Sequence, residues 1–168
     1  MRRGMWILGL AATASVWAAG APPLPPAADQ QLARDMLKGL VEINTTHARG
    51  STEAAKAIQG WLSSAGFPAQ DVVFLAPPDH PTKGNVVVRY RGKHPGAPVL
   101  FLGHLDVVEA RTEDWSVDPF KLTEQEGWFY GRGTIDMKDG DANGPAFLLK
   151  EHRDLILSAL VVNLDATH

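Results

Sequence analysis

The chain has 168 residues, 45% of them hydrophobic, enough for one domain with a packed core. Its formal net charge of −3 at pH 7 and a pI near 6.0 leave no basic stripe, so nucleic acid is not an expected partner. It contains no cysteine, which excludes disulfides, cysteine-ligated zinc and a thiol nucleophile.

Residues 1–18 read as a signal peptide. Arg2 and Arg3 precede a short apolar run from Met5 to Val16, and Val16-Trp17-Ala18 and Ala19-Gly20-Ala21 both offer small-residue cleavage sites, the first being favoured because Pro22 follows the second. The run is shorter than the ~20 apolar residues of a comfortable membrane span. Export, to a periplasm or outside the cell, is the expectation, with no membrane span once the signal is removed; an uncleaved N-terminal anchor is the other reading. Residues 19–28 form a Pro-rich linker.

A helix is predicted from about Asp29 to Ile43, with Leu32, Met36, Leu37, Leu40 and Ile43 on its apolar face. His47, in the polar loop that follows, reads as exposed. Ser51 or Thr52 is expected to cap a second helix that ends at Ala65, where Gly66 supplies the stop. Its buried face is expected to hold Ala54, Ala57, Ile58, Trp61 and Leu62. Short strands follow at Val72–Leu75 and Asn85–Tyr90, and a turn at Gly92–Pro98. Lys121–Glu124 and Trp128–Gly131 flank Gly127 and predict a hairpin. Gly140–Arg153 reads as a helix, with Asp139 and Asp141 as structural carboxylates at its N-terminal end, and Leu155–Leu164 as a further strand.

The chemistry concentrates between Val99 and Lys138. Val99-Leu100-Phe101-Leu102 is an apolar run bounded by Gly103 and reads as a buried strand of a parallel sheet. On a strand, His104 and Asp106 would share a side. Polar groups at the carboxyl end of such a strand lie where open α/β sheets place ligands. Gly131-Arg132-Gly133 forces a tight turn that would aim Asp136 back at His104. A histidine with two carboxylates is a candidate divalent-metal site, and such ligands suit zinc, with cobalt or manganese as substitutes. Trp115 and Phe120 read as packing residues that close the intervening loop. No Gly-x-Ser-x-Gly and no phosphate-binding glycine loop occurs, which argues against serine-hydrolase and nucleotide chemistry.

Three segments together carry a resemblance: Gly103-His104-Leu105-Asp106-Val107-Val108, Trp115 to Phe120, and Tyr130-Gly131-Arg132-Gly133-Thr134-Ile135-Asp136-Met137-Lys138. They resemble the co-catalytic zinc metallopeptidases, the family of aminoacylase, glutamate carboxypeptidase, acetylornithine deacetylase and succinyl-diaminopimelate desuccinylase. The resemblance runs from roughly Gln31 to Asp165.

The resemblance implies a three-layer α/β/α sandwich with a mixed sheet, residues 29–168 being the N-terminal part of the catalytic domain, without its C-terminal part and lid domain. It implies hydrolysis of a peptide or N-acyl amide bond in a small substrate, two zinc ions, and a homodimer for the full-length form. His104 would correspond to a zinc ligand and Asp136 to the carboxylate that bridges the two ions. Asp106 would be the carboxylate that orients the histidine. In this family a later strand ends in a Glu-Glu pair that supplies the general base and a further ligand. Here the last apolar run leads into Asp165-Ala166-Thr167-His168, which puts Ala166 and Thr167 at those positions. The expectation is a weakly active or inactive form. The alternative is a non-catalytic exported binding domain or fold remnant.

Overall fold

The structure, a computed structural model, describes residues 24–92, 100–139 and 161–163. The signal peptide, the Gly140–Arg153 helix, Asp141 and the tail from Leu164 to His168 lie outside the described residues, as does most of the Gly92–Pro98 turn. Among the described residues no helix is long and apolar enough to cross a membrane.

The first helix, α1, spans Ala27–Val41. It starts two residues earlier than predicted, because the Pro26 carbonyl accepts from the amides of Asp29 and Gln30 and the intervening alanines are strong helix formers. Asp29 sits in its first turn and Lys38 in its last, each matching the helix dipole. Leu37, Leu40 and Val41 are buried, and Met36 and Ile43 pack beside them. Leu32, predicted to join that face, is 53% exposed. It lies toward the helix N-terminus, beyond the surface that the neighbouring elements cover.

The second helix, α2, spans Thr52–Ser64 and stops at Gly66, whose φ is +86°. Its predicted cap is corrected. The Ser51 hydroxyl donates to the Gly84 carbonyl at 2.7 Å, and Thr52 Oγ1 donates to the Pro81 carbonyl and accepts from the Gly84 amide. Both hydroxyls therefore fasten the helix start to the 81–84 loop. Ala54 joins the α1 core, and Trp61 covers Gly39 so closely that a Cβ there would lie 2.7 Å from the indole. Ala55, absent from the predicted face, is buried as well. One turn beyond it Gln59 donates to the Val72 carbonyl, so α2 has a second packed side, against the first strand pair.

That pair is β1 (Val72–Leu75) and β2 (Asn85–Val88), antiparallel, with Val73 opposite Val87. Strand β3 (Leu100–Leu102) pairs in parallel with Val161–Asn163, Phe101 opposite Val162. Strands β4 (Thr123–Gln125) and β5 (Trp128–Tyr130) form the predicted hairpin. Its two turn residues, Glu126 and Gly127, have φ of 52° and 80°. Two successive positive φ values make the turn whose twist matches paired strands. Strand Val161–Asn163 is β6 in chain order.

The α/β class therefore holds, with helices and both parallel and antiparallel pairing. Among the described residues the strands form three two-stranded ladders rather than one continuous sheet. Leu100 and Leu102 are 50% and 46% exposed, not buried as predicted, because β6 is the only described strand hydrogen-bonded to β3. The core of Leu37, Leu40, Val41 and Ala54 extends to Leu105, Leu122 and Phe129. It thus joins α1 to the hairpin and to the loop that follows β3.

Candidate metal centre

Strand β3 ends at Leu102, two residues before His104, so His104 and Asp106 stand on a loop and not on a strand as predicted. The shared side comes instead from how that loop is held. Thr45 Oγ1 donates to the Leu105 carbonyl at 2.6 Å, and the Val107 amide donates to the Thr45 carbonyl at 3.2 Å. The His104 amide contacts the Met137 sulfur at 3.4 Å, and Met137 is buried.

The second segment arrives through the Gly131-Arg132-Gly133 turn. A Cβ on Gly131 would meet Val41 at 2.7 Å, so the turn lies directly on α1. Gly133 has φ +86°, and a Cβ there would lie 2.9 Å from Val107 and 3.1 Å from the Lys138 stem. No other residue fits both that backbone and that space. The Lys138 amide closes the turn on the Gly133 carbonyl at 2.9 Å. The Asp136–Met137 peptide is cis.

The two segments meet at His104 and Asp136. Nε2 of His104 lies 3.1 Å from Oδ1 of Asp136, and Nδ1 lies 2.9 Å from the main-chain oxygen of Asp106. The Asp106 carboxylate stands 3.6 Å from Nδ1 and is 66% exposed. The imidazole thus donates from Nδ1 to the Asp106 carbonyl, while the Asp106 carboxylate acts on the ring by charge. Burial works to depress the His104 pKa. The bonds to the Asp106 carbonyl and Asp136 carboxylate, with the charges of both carboxylates, outweigh it and raise the pKa above its ordinary value.

This geometry fits a metal ligand pair. Nδ1–H donates to the Asp106 carbonyl and Nε2 faces Asp136, so the nitrogen turned toward the carboxylate is the one that would ligate a metal in exchange for its proton. Two ligands of one tetrahedral zinc, at about 2.0–2.1 Å each, stand roughly 3.3 Å apart. The observed 3.1 Å is close to that spacing. His104 and Asp136 are 36% and 43% exposed, which leaves the pair open to an ion and to substrate. Among the described residues no group of three or more His, Asp or Glu gathers as a metal-binding cluster. His47 is exposed, as predicted.

Around the pair, Trp115 is half-buried beneath the Arg132 guanidinium, 5.1 Å from ring to Cζ, and Phe120 is half-buried. Arg132 also links the loop to the turn, its amide donating to the buried Pro119 at 2.6 Å. These contacts match the packing role predicted for Trp115.

Two residues escaped the sequence reading. Thr45 and Lys138 are both fully buried. Lys138 Nζ donates to the carbonyls of Leu40 and Ile43, at 2.7 and 2.9 Å, at the end of α1, where amide donors run short and the Leu40 carbonyl receives only the Ile43 amide at 3.3 Å. A lysine is seldom buried, so its type gave no hint. The signal that existed was the need of a helix C-terminus for donors, and no sequence pattern names the donor.

Comparison with known proteins places these segments in context. Residues 100–157 match the model of Peptidase family M20/M25/M40. The chain is similar to acetylornithine deacetylase of Pasteurella multocida, 42% identical over 81 residues, covering 48% of this chain and 20% of that protein. It is also similar to a probable succinyl-diaminopimelate desuccinylase of Staphylococcus aureus, 57% identical over 47 residues, 27% of this chain and 12% of that protein. Among solved structures, the di-peptidase Dug1p from Saccharomyces cerevisiae superposes with a TM-score of 0.51 at 26% identity, over 71% of this chain and 30% of that one. The resemblance to the co-catalytic zinc metallopeptidases, with an N-terminal part matched, is therefore borne out. The chain spans less than a third of the length of the relatives it matches.

Proposed function

We propose that this chain forms the N-terminal part of a zinc-dependent metallopeptidase or amidohydrolase that hydrolyses a peptide or N-acyl amide bond in a small substrate. The observation that carries this reading is the convergence of His104 Nε2 and Asp136 Oδ1 at 3.1 Å, inside the segment that matches the peptidase family. When bound, zinc supplies Lewis-acid polarisation of the scissile carbonyl and activation of water. Cobalt or manganese would serve as substitutes.

The chain's own residues define what the half-site does. The Asp106 carbonyl accepts from His104 Nδ1 and so turns Nε2 toward Asp136, as the nitrogen that would hold a metal. Asp136 brings a carboxylate beside Nε2 that would hold a metal together with His104. The exposed Asp106 carboxylate adds negative charge beside the imidazole and favours a cation there. The two ligands found among the described residues are fewer than the three or four that hold zinc firmly, so this half-site alone binds metal weakly. Its own hydrolytic activity is correspondingly low or nil.

The same reading extends to export, supported by Arg2, Arg3 and the apolar run from Met5 to Val16. A homodimer would be the assembly of the full-length form.

Zinc titration by calorimetry on the chain from Ala19 onward, beside His104→Ala and Asp136→Ala, tests the proposal. Binding that is lost in both variants supports it. Binding weaker than about 0.1 mM, worth some 5–6 kcal/mol, or binding unchanged in both variants, overturns it.

A further inference from the structure

We infer that the end of α1, from Leu40 to Thr45, is a single brace for both halves of the metal centre, and that Thr45 and Lys138 are positioning residues for His104 and Asp136. The inference rests on the zinc reading given above. It starts from a mechanical problem. His104 and Asp136 stand on two loops 32 residues apart, and among the described residues no strand ladder joins those loops. Yet a metal ligand pair works only when its donor atoms are held to within about 0.5 Å.

Both loops are fastened to the same short stretch. Lys138 Nζ fixes the 136–138 segment to the carbonyls of Leu40 and Ile43. Thr45 fixes the 105–107 segment through its hydroxyl to Leu105 and its carbonyl to the Val107 amide. Both anchoring side chains are fully buried, whereas the two ligands they serve are partly open to solvent. Water therefore does not compete for the anchors.

Thr45 does more than hold a loop in place. Its two bonds fall on the peptide units that flank Asp106, one to the carbonyl before it and one to the amide after it. They set the direction of the Asp106 carbonyl, which accepts from His104 Nδ1 at 2.9 Å. That bond orients the ring so that Nε2 faces Asp136. A path thus runs from Thr45, through the two peptide units around Asp106, to the orientation of the imidazole and to the ligating nitrogen.

The test uses Thr45→Val, which keeps the shape and removes the donor, Thr45→Ser, which restores it, and Leu62→Ala, a core variant on α2. The first readout needs no metal: relaxation dispersion of the His104 ring signals, assigned by their loss in His104→Ala. Parent and Thr45→Ser show one ring orientation without exchange, Thr45→Val shows exchange-broadened ring signals, and Leu62→Ala keeps the parental spectrum. The second is Co²⁺ affinity by calorimetry, expected to fall about 10–100-fold in Thr45→Val and to stay parental in the other two. Exchange-broadened ring signals in the parent, or parental signals and affinity in Thr45→Val, overturn the inference. So does an equal loss of affinity in Leu62→Ala. A parent that binds no Co²⁺, yet gains exchange broadening in Thr45→Val, overturns the zinc reading and leaves the brace standing. A parent that binds Co²⁺, with neither readout moved by Thr45→Val, does the reverse.

Discussion

The ammonium of Lys138 sits 2.7 Å from the carbonyl oxygen of Leu40, 98 residues earlier in the chain, with both residues wholly out of contact with water. A buried cation here completes a helix end. The last carbonyls of α1 carry partial negative charge, the Leu40 carbonyl receives only the Ile43 amide at 3.3 Å, and Lys138 supplies a countercharge and a closer donor.

Replacing Lys138 with Met removes those donors, leaving the Leu40 carbonyl with only the Ile43 amide and taking the ammonium from the Ile43 carbonyl. The expected loss is about 1–3 kcal/mol, the cost of an under-satisfied buried polar group. Urea unfolding should show a lower midpoint. A midpoint within error of the parent would mean that water or another donor replaces the ammonium.

Leu40 and Leu32 lie on the same helix and differ in surroundings. Leu40→Ala is expected to cost about 2–5 kcal/mol, as large-to-small core changes do. Leu32→Ala, on an exposed residue, should fall within about 0.5 kcal/mol of the parent. Equal effects in thermal or urea unfolding would contradict the core placed between α1, α2 and the hairpin.

Two glycines should respond in opposite directions to alanine. Gly60 lies within α2 with open space around its Cα, so Gly60→Ala should stabilise by about 0.5–1 kcal/mol. Gly133→Ala adds a Cβ at a positive φ and against Val107, and should destabilise by at least about 1–3 kcal/mol. Paired denaturation curves decide both.

Asp71 links stability to pH. It is 3% exposed, and Arg91 binds it through two nitrogens, Nη2 at 2.7 Å. The Arg91 hydrogen bonds lower the Asp71 pKa; burial opposes them, and the charges of Arg91 and Arg89 reinforce the fall below the ordinary 3.8. A carboxyl whose folded pKa lies below its unfolded one adds stability that is complete above the unfolded value and vanishes as pH falls through the folded value. Stability should therefore drop on acidification below about pH 4–5, more steeply in the parent than in Asp71→Asn. Identical acid profiles for the two would exclude this pair as a source of the dependence.

Strand β1 and the hairpin at Gly127 were legible in the sequence because their signals are local: branched residues between turn formers, and a glycine where the backbone needs positive φ. The approach of Asp136 to His104 was legible from the Gly131–Gly133 turn. Leu32 was misread because periodicity gives a face without saying how far along the helix that face is covered. The β3 boundary was misread because an apolar run does not mark where pairing stops. Thr45 and Lys138 stayed hidden for a different reason. Their partners are main-chain oxygens 60 and 98 residues away, and a carbonyl carries no side-chain identity to recognise.

The parallel pairing of β3 with β6 also sets an order of events during synthesis. By Tyr130, α1, α2 and the ladders β1–β2 and β4–β5 have emerged with all the strand partners they have among the described residues. Among the described residues, strand β3 has none until residues 161–163 leave the ribosome, about 2–6 s later at 5–20 residues per second. For that interval the strand that leads into His104 has an unpaired edge of Leu100, Phe101 and Leu102, open to another nascent copy. Chaperone capture is therefore most useful to this chain late, after its helices have folded and before its parallel ladder has closed.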